Sequence, residues 1–226
     1  FTVLDLYQHF VDQNFELYKE KNNVDCSVEK NFKKYERMKE KKIKCYKIVA
    51  ARYYLKNLVS GTISTDENVE RQLEKFSQEI EQEGDSVGFI CQMTSDEVVE
   101  FSHNSYGEYF AALYLSETCR CMVRDKKFIS DGHFDNIRFF LDLMLCKNSK
   151  GFIAVVYKNP ILLDECTDLD LNEKDFIGRD LLEVACARTK NYNCSEDKGR
   201  ITKGKKFHRD WVINNGHIGD LDYMHI

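Results

Sequence analysis

One stretch, residues 101–115, constrains the fold of this chain more than any other, because it joins the end of a strand to the start of a helix. Ser105 and Glu108 have the spacing of a capping box, in which both side chains accept hydrogen bonds from free amides at a helix start. Apolar residues then recur at helical spacing, at Tyr106, Tyr109, Phe110 and Leu113. His103 lies just before this predicted helix, where free amides and the helix dipole favour an anion.

Helices are predicted over most of the chain upstream of this stretch. Apolar residues recur at helical spacing through the first twenty residues. Residues 30–58 predict one long helix or two, basic at the start and apolar at the end. Residues 66–82 predict a further helix that ends at Gly84, with its apolar residues on one side.

A β-hairpin is predicted between the third of these helices and the stretch 101–115. Residues 87–93 and 98–103 are rich in β-branched and aromatic residues, and the polar residues 94–97 separate them. This is the pattern of two strands joined by a turn. The order of two helices and then a hairpin is typical of a winged helix.

The distribution of charge argues against DNA binding by such a winged helix. In DNA-binding winged helices, the helix before the hairpin enters the major groove. Residues 66–85, however, contain eight acidic residues against only Arg71 and Lys75, so phosphates would repel this helix. Residues 30–47 carry nine basic residues and two glutamates, a pattern more typical of a solvated helix face. Nucleic-acid binding through residues 30–47 therefore stays open only as a minor alternative.

The stretch 101–115 resembles the strand-to-helix corner that closes the winged-helix part of NACHT-type signalling ATPases. The residues that carry the resemblance are Phe101, His103, Ser105, Glu108, Tyr109, Phe110, Ala111, Ala112, Tyr114 and Leu115. The resemblance implies that His103 contacts the β-phosphate of bound ADP and helps to hold an inactive state. Gly107 departs from the family, which more often has glutamine at that position. On the residues alone, a histidine before a helix is more often a structural residue than a ligand-binding one.

The last third of the chain predicts a helical array followed by repeats. Residues 136–147 predict an amphipathic helix, and 151–156 lead into another apolar element. Residues 168–186 resemble the start of an ankyrin repeat, with Gly178 at the tight turn and an apolar first helix behind it. The family's threonine and histidine are replaced here by Asp180 and Glu183, which indicates a degenerate or capping repeat. Residues 211–226 resemble the end of a second repeat, and a plain helical hairpin is the alternative to both.

The sequence gives little indication of catalytic chemistry. Residues 199–206 come close to a phosphate-binding loop, but Lys206 occupies the position of the hydroxyl that binds magnesium. Residues 168–172 have the opening spacing of a calcium loop, but the glycine and the final glutamate that the loop needs are absent. The nine cysteines have irregular spacing, so free thiols in a reducing cytosol are expected. No apolar run reaches the length of a membrane span.

Together these observations predict a mainly α fold: a winged-helix-like domain (1–103), a helical spacer (104–165) and an ankyrin-like region (166–226). The predicted function is that of a regulatory, non-catalytic piece of a cytoplasmic NACHT-type switch. His103 would sense ADP, and Phe101, Ser105, Glu108, Tyr109 and Phe110 would form the structural motif around it. We expect no cofactor or metal in the piece itself, and we expect ATP or ADP to bind in the longer protein. The expected partners are an upstream nucleotide-binding domain and proteins bound by the repeats. No membrane partner is expected. The alternative is a helical, ankyrin-linked interaction module with no nucleotide role.

Overall fold

The structure, a computed structural model, describes residues 2–56, 58, 63, 66–94, 99–146 and 149–188. These residues form a mainly helical fold with one two-stranded antiparallel sheet, which confirms the predicted mainly α class with a short hairpin. In chain order the elements are α1 (Val3–Lys21), α2 (Glu29–Leu55), α3 (Glu67–Glu83), β1 (Ile90–Met93), β2 (Val99–Phe101), α4 (Asn104–Thr118), α5 (Lys126–Ser130), α6 (Asp135–Leu145), α7 (Lys150–Val156), α8 (Pro160–Asp164), α9 (Asp168–Asn172) and α10 (Leu181–Arg188). Short 3-10 helices span Arg120–Arg124 and Gly132–Phe134.

The chain divides into two compact units, Phe1–Thr118 (unit 1) and Cys119–Ile226 (unit 2). This division differs from the sequence-based boundaries, which begin a helical spacer at residue 104. The helix α4 lies in unit 1 because it packs along α2. Four residues of α4 have less than about one per cent exposure, and two of these are Ala111 and Ala112, whose small side chains allow the two helices to lie close together.

The three helices upstream of the hairpin form where the sequence predicts them. Thr2 and Asp5 make a reciprocal capping box at the start of α1. The basic and apolar halves of residues 30–58 form one continuous helix, α2, rather than two. The Asp66 carboxylate accepts a 2.9 Å hydrogen bond from the Val69 amide at the start of α3. Gly84, with φ 78°, ends that helix in a conformation that favours glycine.

The predicted hairpin is also present. Strands β1 and β2 pair antiparallel, with Ile90 opposite Phe101 and Met93 opposite Val99, and with an irregularity in register after Ile90. Asp85 organises the entry into β1, since its carboxylate accepts hydrogen bonds from three backbone amides, those of Val87, Phe89 and Ile90, at 3.1, 2.8 and 3.1 Å. One aspartate therefore fixes the turn that leads from α3 into the sheet.

An aromatic cluster fills the centre of unit 1. The Tyr46 ring, fully buried on α2, lies 5.2 Å from the ring centroids of each of its neighbours Phe76, Phe89 and Phe110. Its hydroxyl donates a 2.7 Å hydrogen bond to Asp85. Burial, reinforced by the negative charge of Asp85, raises the pKa of Tyr46 far above its usual range. The same tyrosine thus joins the helices to the sheet through its ring and to the hairpin turn through its oxygen.

Unit 2 contains the helices α5 to α10. The amphipathic helix predicted over residues 136–147 is α6, and its apolar face is buried. Residues Leu182, Val184 and Ala185, expected to face a neighbouring element, are buried on α10. Residues 191–226, which include the loop-like run 199–206 and the second repeat-like segment, lie outside the described residues.

The cysteines correct one expectation. Among the described residues, six cysteines are in the reduced thiol form: Cys26, Cys45, Cys91, Cys119, Cys146 and Cys166. Cys186, however, is disulfide-bonded, so the expectation of free thiols throughout is wrong. A disulfide requires two Cβ atoms about 3.8 Å apart, and sequence spacing alone does not reveal that proximity. Within the described parts of the chain, no helix is both long enough and apolar enough to cross a membrane.

Candidate functional site

The candidate site is the corner between β2 and α4, where the chain leaves the sheet at Phe101 and enters the helix at Asn104. The corner is held on the sheet side by Ser102, whose amide donates a 2.8 Å hydrogen bond to the Phe89 carbonyl. It is held on the helix side by Tyr54 of α2, whose hydroxyl donates to the Asn104 carbonyl at 3.2 Å. Two residues, Ser102 and His103, therefore connect two fixed elements.

His103 is exposed at this corner, and its ring orientation is set by Ser105. The Ser105 backbone amide donates to His103 Nδ1 at 3.3 Å, and the Ser105 hydroxyl lies 2.5 Å from the same nitrogen. Because Nδ1 is used as an acceptor, the proton of the neutral ring lies on Nε2. Nε2 is then the donor of an exposed ring, and contact with an anion requires such a donor.

The helix start differs in detail from the prediction. Because α4 begins at Asn104, Ser105 lies within the first turn and does not occupy the N-cap position that a capping box requires. The predicted capping box is therefore wrong in its placement. The Ser105 hydroxyl contacts the imidazole of His103 instead, and the His103 carbonyl accepts a hydrogen bond from the Tyr106 amide at 3.0 Å.

The other residues of the motif belong to the interior of unit 1 rather than to the exposed corner. Phe101, Tyr109 and Phe110 are buried, and Glu108 is half-buried. Burial raises the pKa of Tyr109 to about 12. Of the six residues singled out by the sequence, only His103 and Ser105 come together at the surface. The remaining four determine where the corner lies.

Gly107 lies at a tightly packed position of α4. A Cβ at this position would lie 2.6 Å from Cδ2 of Phe101 and 2.6 Å from Cε2 of Tyr54. Both atoms are in aromatic rings of the packed interior, so a larger side chain requires the rings to move. The glycine is required by close packing, and the glutamine more frequent in NACHT-type proteins does not fit this arrangement.

No family model, curated protein or solved structure matches this chain. The site is therefore interpreted from its own geometry and from the resemblance of residues 101–115.

Unit 2 contains a buried ionic cluster that sequence reasoning missed. Arg179 Nε lies 2.7 Å from Asp175 Oδ2, and Arg179 Nη2 lies 2.8 Å from Asp142 Oδ1. Two or three per cent of each of these three residues is exposed. The pKa of Arg179 is lowered by burial, but the two carboxylates outweigh this effect and raise it above its usual value. Asp142 lies on α6 and is 37 positions from Arg179, so no local pattern could have paired them.

The turn before α10 is held by side-chain hydrogen bonds that the sequence alone did not reveal. Asp175 accepts hydrogen bonds from the amides of Ile177 and Arg179 at 3.0 and 2.9 Å, around Gly178 with φ 79°. Asp180 and Glu183 make a reciprocal capping box, with their amide-to-carboxylate distances at 3.0 and 2.8 Å. Asp180 and Glu183 thus tie the turn to the start of α10.

Neither unit brings together a metal-binding set in the part of the chain that the structure describes, since no group of three or more His, Cys, Asp or Glu residues converges there. The exposed imidazole at the β2–α4 corner is therefore the group to which a ligand role is most readily assigned. Among the side-chain contacts of the described residues, its partner is the Ser105 hydroxyl, and the ring keeps one hydrogen-bond donor at Nε2.

Proposed function

We propose that this chain is a regulatory, non-catalytic part of a cytoplasmic NACHT-type switch. In this proposal His103 senses the phosphate of ADP, and the ADP site is built mainly by a nucleotide-binding domain that precedes residue 1. The observation that carries the proposal is the exposed imidazole at the β2–α4 corner, whose Nδ1 is held by Ser105, which leaves Nε2 as the donor of the neutral ring. A hydrogen bond to a charged phosphate oxygen is stronger than one between neutral groups.

The arrangement of unit 1 fits this role physically. A residue that distinguishes two nucleotide states must be held rigidly, because a contact on a mobile loop yields little difference in affinity between the two states. His103 is two residues beyond a paired strand and directly before a helix that packs on α2. In the resting state the corner would contact ADP. Nucleotide exchange would remove that contact and release unit 1 from the nucleotide-binding domain.

Unit 2 would supply the partner-binding part of the switch. The buried ionic cluster and the capped turn at Asp180 give α10 a defined start. Helical hairpins of this kind bind proteins when they are stacked in arrays. Ankyrin-like repeats downstream would extend the array and provide the surface for a protein partner.

The test is retention of ADP by the longer protein that the proposal requires. Changing His103→Ala should weaken ADP binding by about tenfold, which corresponds to one hydrogen bond to a charged group. His103→Gln keeps a donor and should restore part of the affinity. His9→Ala is the matched control, because His9 is an equally exposed histidine on α1 and should leave binding unchanged. Unchanged affinity in His103→Ala, or a gene without an upstream phosphate-binding loop, would overturn the proposal.

A second candidate function is that of a helical interaction module with no nucleotide role. The observation that favours it is Gly107, since its packing against Phe101 and Tyr54 departs from the NACHT pattern. This candidate predicts that His103→Ala changes neither nucleotide affinity nor any partner interaction. The same ADP measurement therefore separates the two functions.

A further inference from the structure

A groove on unit 1 between α2 and α3 has no part in the function proposed above. It encloses a volume of about 1100 Å³ and is lined by the first half of α2 and the second half of α3. The two helices run antiparallel there, since Lys42 of α2 pairs with Glu79 of α3, and Arg52 farther along α2 pairs with Glu70 nearer the start of α3. We call this feature the basic groove, for the charges described next.

The basic groove carries a surplus of positive charge that its own carboxylates do not neutralise. Lys42 lies 2.6 Å from Glu79, and Lys33 lies 2.5 Å from Glu29, so both of the groove's carboxylates are already paired. Five further cations line the groove and are exposed: Lys30, Lys34, Arg37, Lys41 and Lys75. In the portions of the chain that the structure describes, none of these five has an ion-pair partner.

The cations are arranged in a line rather than a cluster. Lys30, Lys34, Arg37 and Lys41 are spaced by four, three and four residues, which places them on one face of α2. At a rise of 1.5 Å per residue this row extends for about 16 Å. A ligand that satisfies the row must therefore be extended and carry several negative charges, about one for each helical turn.

The floor of the groove is apolar. Cys45 and Phe76 are buried beneath the cations, and Met38 is half-buried between them. The Lys42 ammonium group lies 5.5 Å from the centroid of the Phe76 ring, so even the paired lysine contacts an apolar surface. Burial raises the pKa of the Cys45 thiol to about 11, so the floor stays uncharged at neutral pH.

The positive charge of the basic groove and its apolar floor together favour a peptide over a nucleic acid as the partner. A nucleic-acid duplex lying on α2 would bring its phosphates close to α3, which is strongly acidic: residues 66–85 carry eight carboxylates, and seven of these lie outside the groove. An acidic peptide within the groove would meet one of these carboxylates, Glu79, and Glu79 is already paired with Lys42. The peptide can place carboxylates against the row on α2 and an apolar side chain against Phe76 and Met38.

We propose that the basic groove binds an acidic amphipathic peptide segment of a partner protein, with carboxylates along the row Lys30–Lys41 and an apolar anchor on the floor. Binding of this kind has two separable parts. The charge part is weakened by salt, because the cations are exposed. The apolar part persists at high salt and depends on the anchoring side chain.

The test uses the whole chain and a fluorescein-labelled synthetic peptide built of alternating Glu, Leu, Glu and Ala. A length of about twelve residues matches the row of cations if the peptide is helical. Fluorescence anisotropy should show saturable binding of this peptide by the wild-type chain. Two further peptides, one with Gln for every Glu and one with Ala for every Leu, should each bind at least about fivefold more weakly.

Two charge reversals locate the site. Lys34→Glu combined with Lys41→Glu should weaken peptide binding by about tenfold or more, since each reversal replaces an attraction with a repulsion. Lys44→Glu is the matched control: Lys44 is exposed on the same helix but lies outside the groove, and its reversal should change binding by less than about twofold. Circular dichroism of all variants should match the wild type, because the altered residues are exposed.

Four results would overturn the proposal. They are absence of peptide binding to the wild type, equal losses in the groove variant and the Lys44→Glu control, equal affinity for the Gln peptide, and tighter binding of a single-stranded oligothymidylate with a steep salt dependence. Self-association of the wild-type chain that the double reversal abolishes would identify a second copy as the occupant and overturn the assignment to a partner.

Discussion

Replacement of Arg179 by methionine should destabilise unit 2 strongly. Arg179 neutralises two buried carboxylates, those of Asp142 and Asp175, at 2.8 and 2.7 Å. Methionine has a similar volume and leaves no large cavity, so the effect of the change is almost entirely electrostatic. Asp175 would remain buried without its cation, and Asp142 would keep only its electrostatic interaction with Arg188, so the interior would hold poorly compensated charge.

The expected magnitude follows from this burial. Removal of one partner from a buried ion pair costs about 3–5 kcal/mol of folding free energy. For a chain of this size, such a loss lowers the midpoint of thermal unfolding by roughly 6–20 °C. Arg124→Met is the matched control, because Arg124 is exposed and lies 4.0 Å from Glu183, so its loss should cost less than about 0.5 kcal/mol.

The assay is urea denaturation followed by circular dichroism, with a second substitution that tests the mechanism. In the wild type, Asp142→Asn should destabilise, because it removes a charge-assisted hydrogen bond worth about 1.5–3 kcal/mol. In the Arg179→Met background the same change should be neutral or stabilising, because it removes a stranded charge. A loss below about 1 kcal/mol for Arg179→Met, or strictly additive effects of the two changes, would refute this account of the cluster.

Three further predictions concern unit 1. Gly107→Ala should lower the free energy of unfolding by about 1–3 kcal/mol, because the new Cβ would lie 2.6 Å from two aromatic rings. This cost should exceed the gain from the higher helix propensity of alanine, and a variant that is more stable in thermal unfolding would contradict the packing. Tyr46→Phe should cost about 1–2 kcal/mol by removing the 2.7 Å hydrogen bond to Asp85, as measured by urea denaturation, and a loss below about 0.3 kcal/mol would count against this bond. Burial raises the pKa of Cys45 from 9.0 to about 11, so the stabilisation from its neutral thiol is present below pH 9 and is lost as pH rises through 11. Alkylation by iodoacetamide at pH 8, followed by mass spectrometry, should modify the exposed Cys91 well before Cys45, and equal rates would show that Cys45 is accessible.

Local patterns in the sequence were enough to predict the elements of unit 1. The apolar spacing of α3, its end at Gly84 and the two β-rich runs all depend on residues close together in the chain, and all are found in the structure. The same holds for the apolar face of α10. The capping box at its start was not predicted, although Asp180 and Glu183 have the three-residue spacing that signals one.

Features that depend on distant residues could not be predicted in this way. Arg179 and Asp142 are far apart in sequence, so their pairing follows only from how α6 and the turn before α10 fold together. The basic groove likewise requires α2 and α3 to lie side by side, although the run of cations itself is visible in the sequence. The role of Gly107 depends on Tyr54, which lies more than fifty positions upstream. At the candidate site, the sequence identified His103 but assigned Ser105 to the helix cap rather than to the imidazole.

The most direct measurement of the central claim is the nitrogen-15 NMR spectrum of the histidine side chains in the longer protein, recorded with and without ADP. His103→Gln assigns the His103 signals by their disappearance. The account predicts that ADP shifts the Nε2 resonance of His103, while Nδ1, which already accepts from Ser105, changes little. Saturation with ADP that leaves both His103 nitrogens unmoved would contradict a nucleotide-sensing role for this residue.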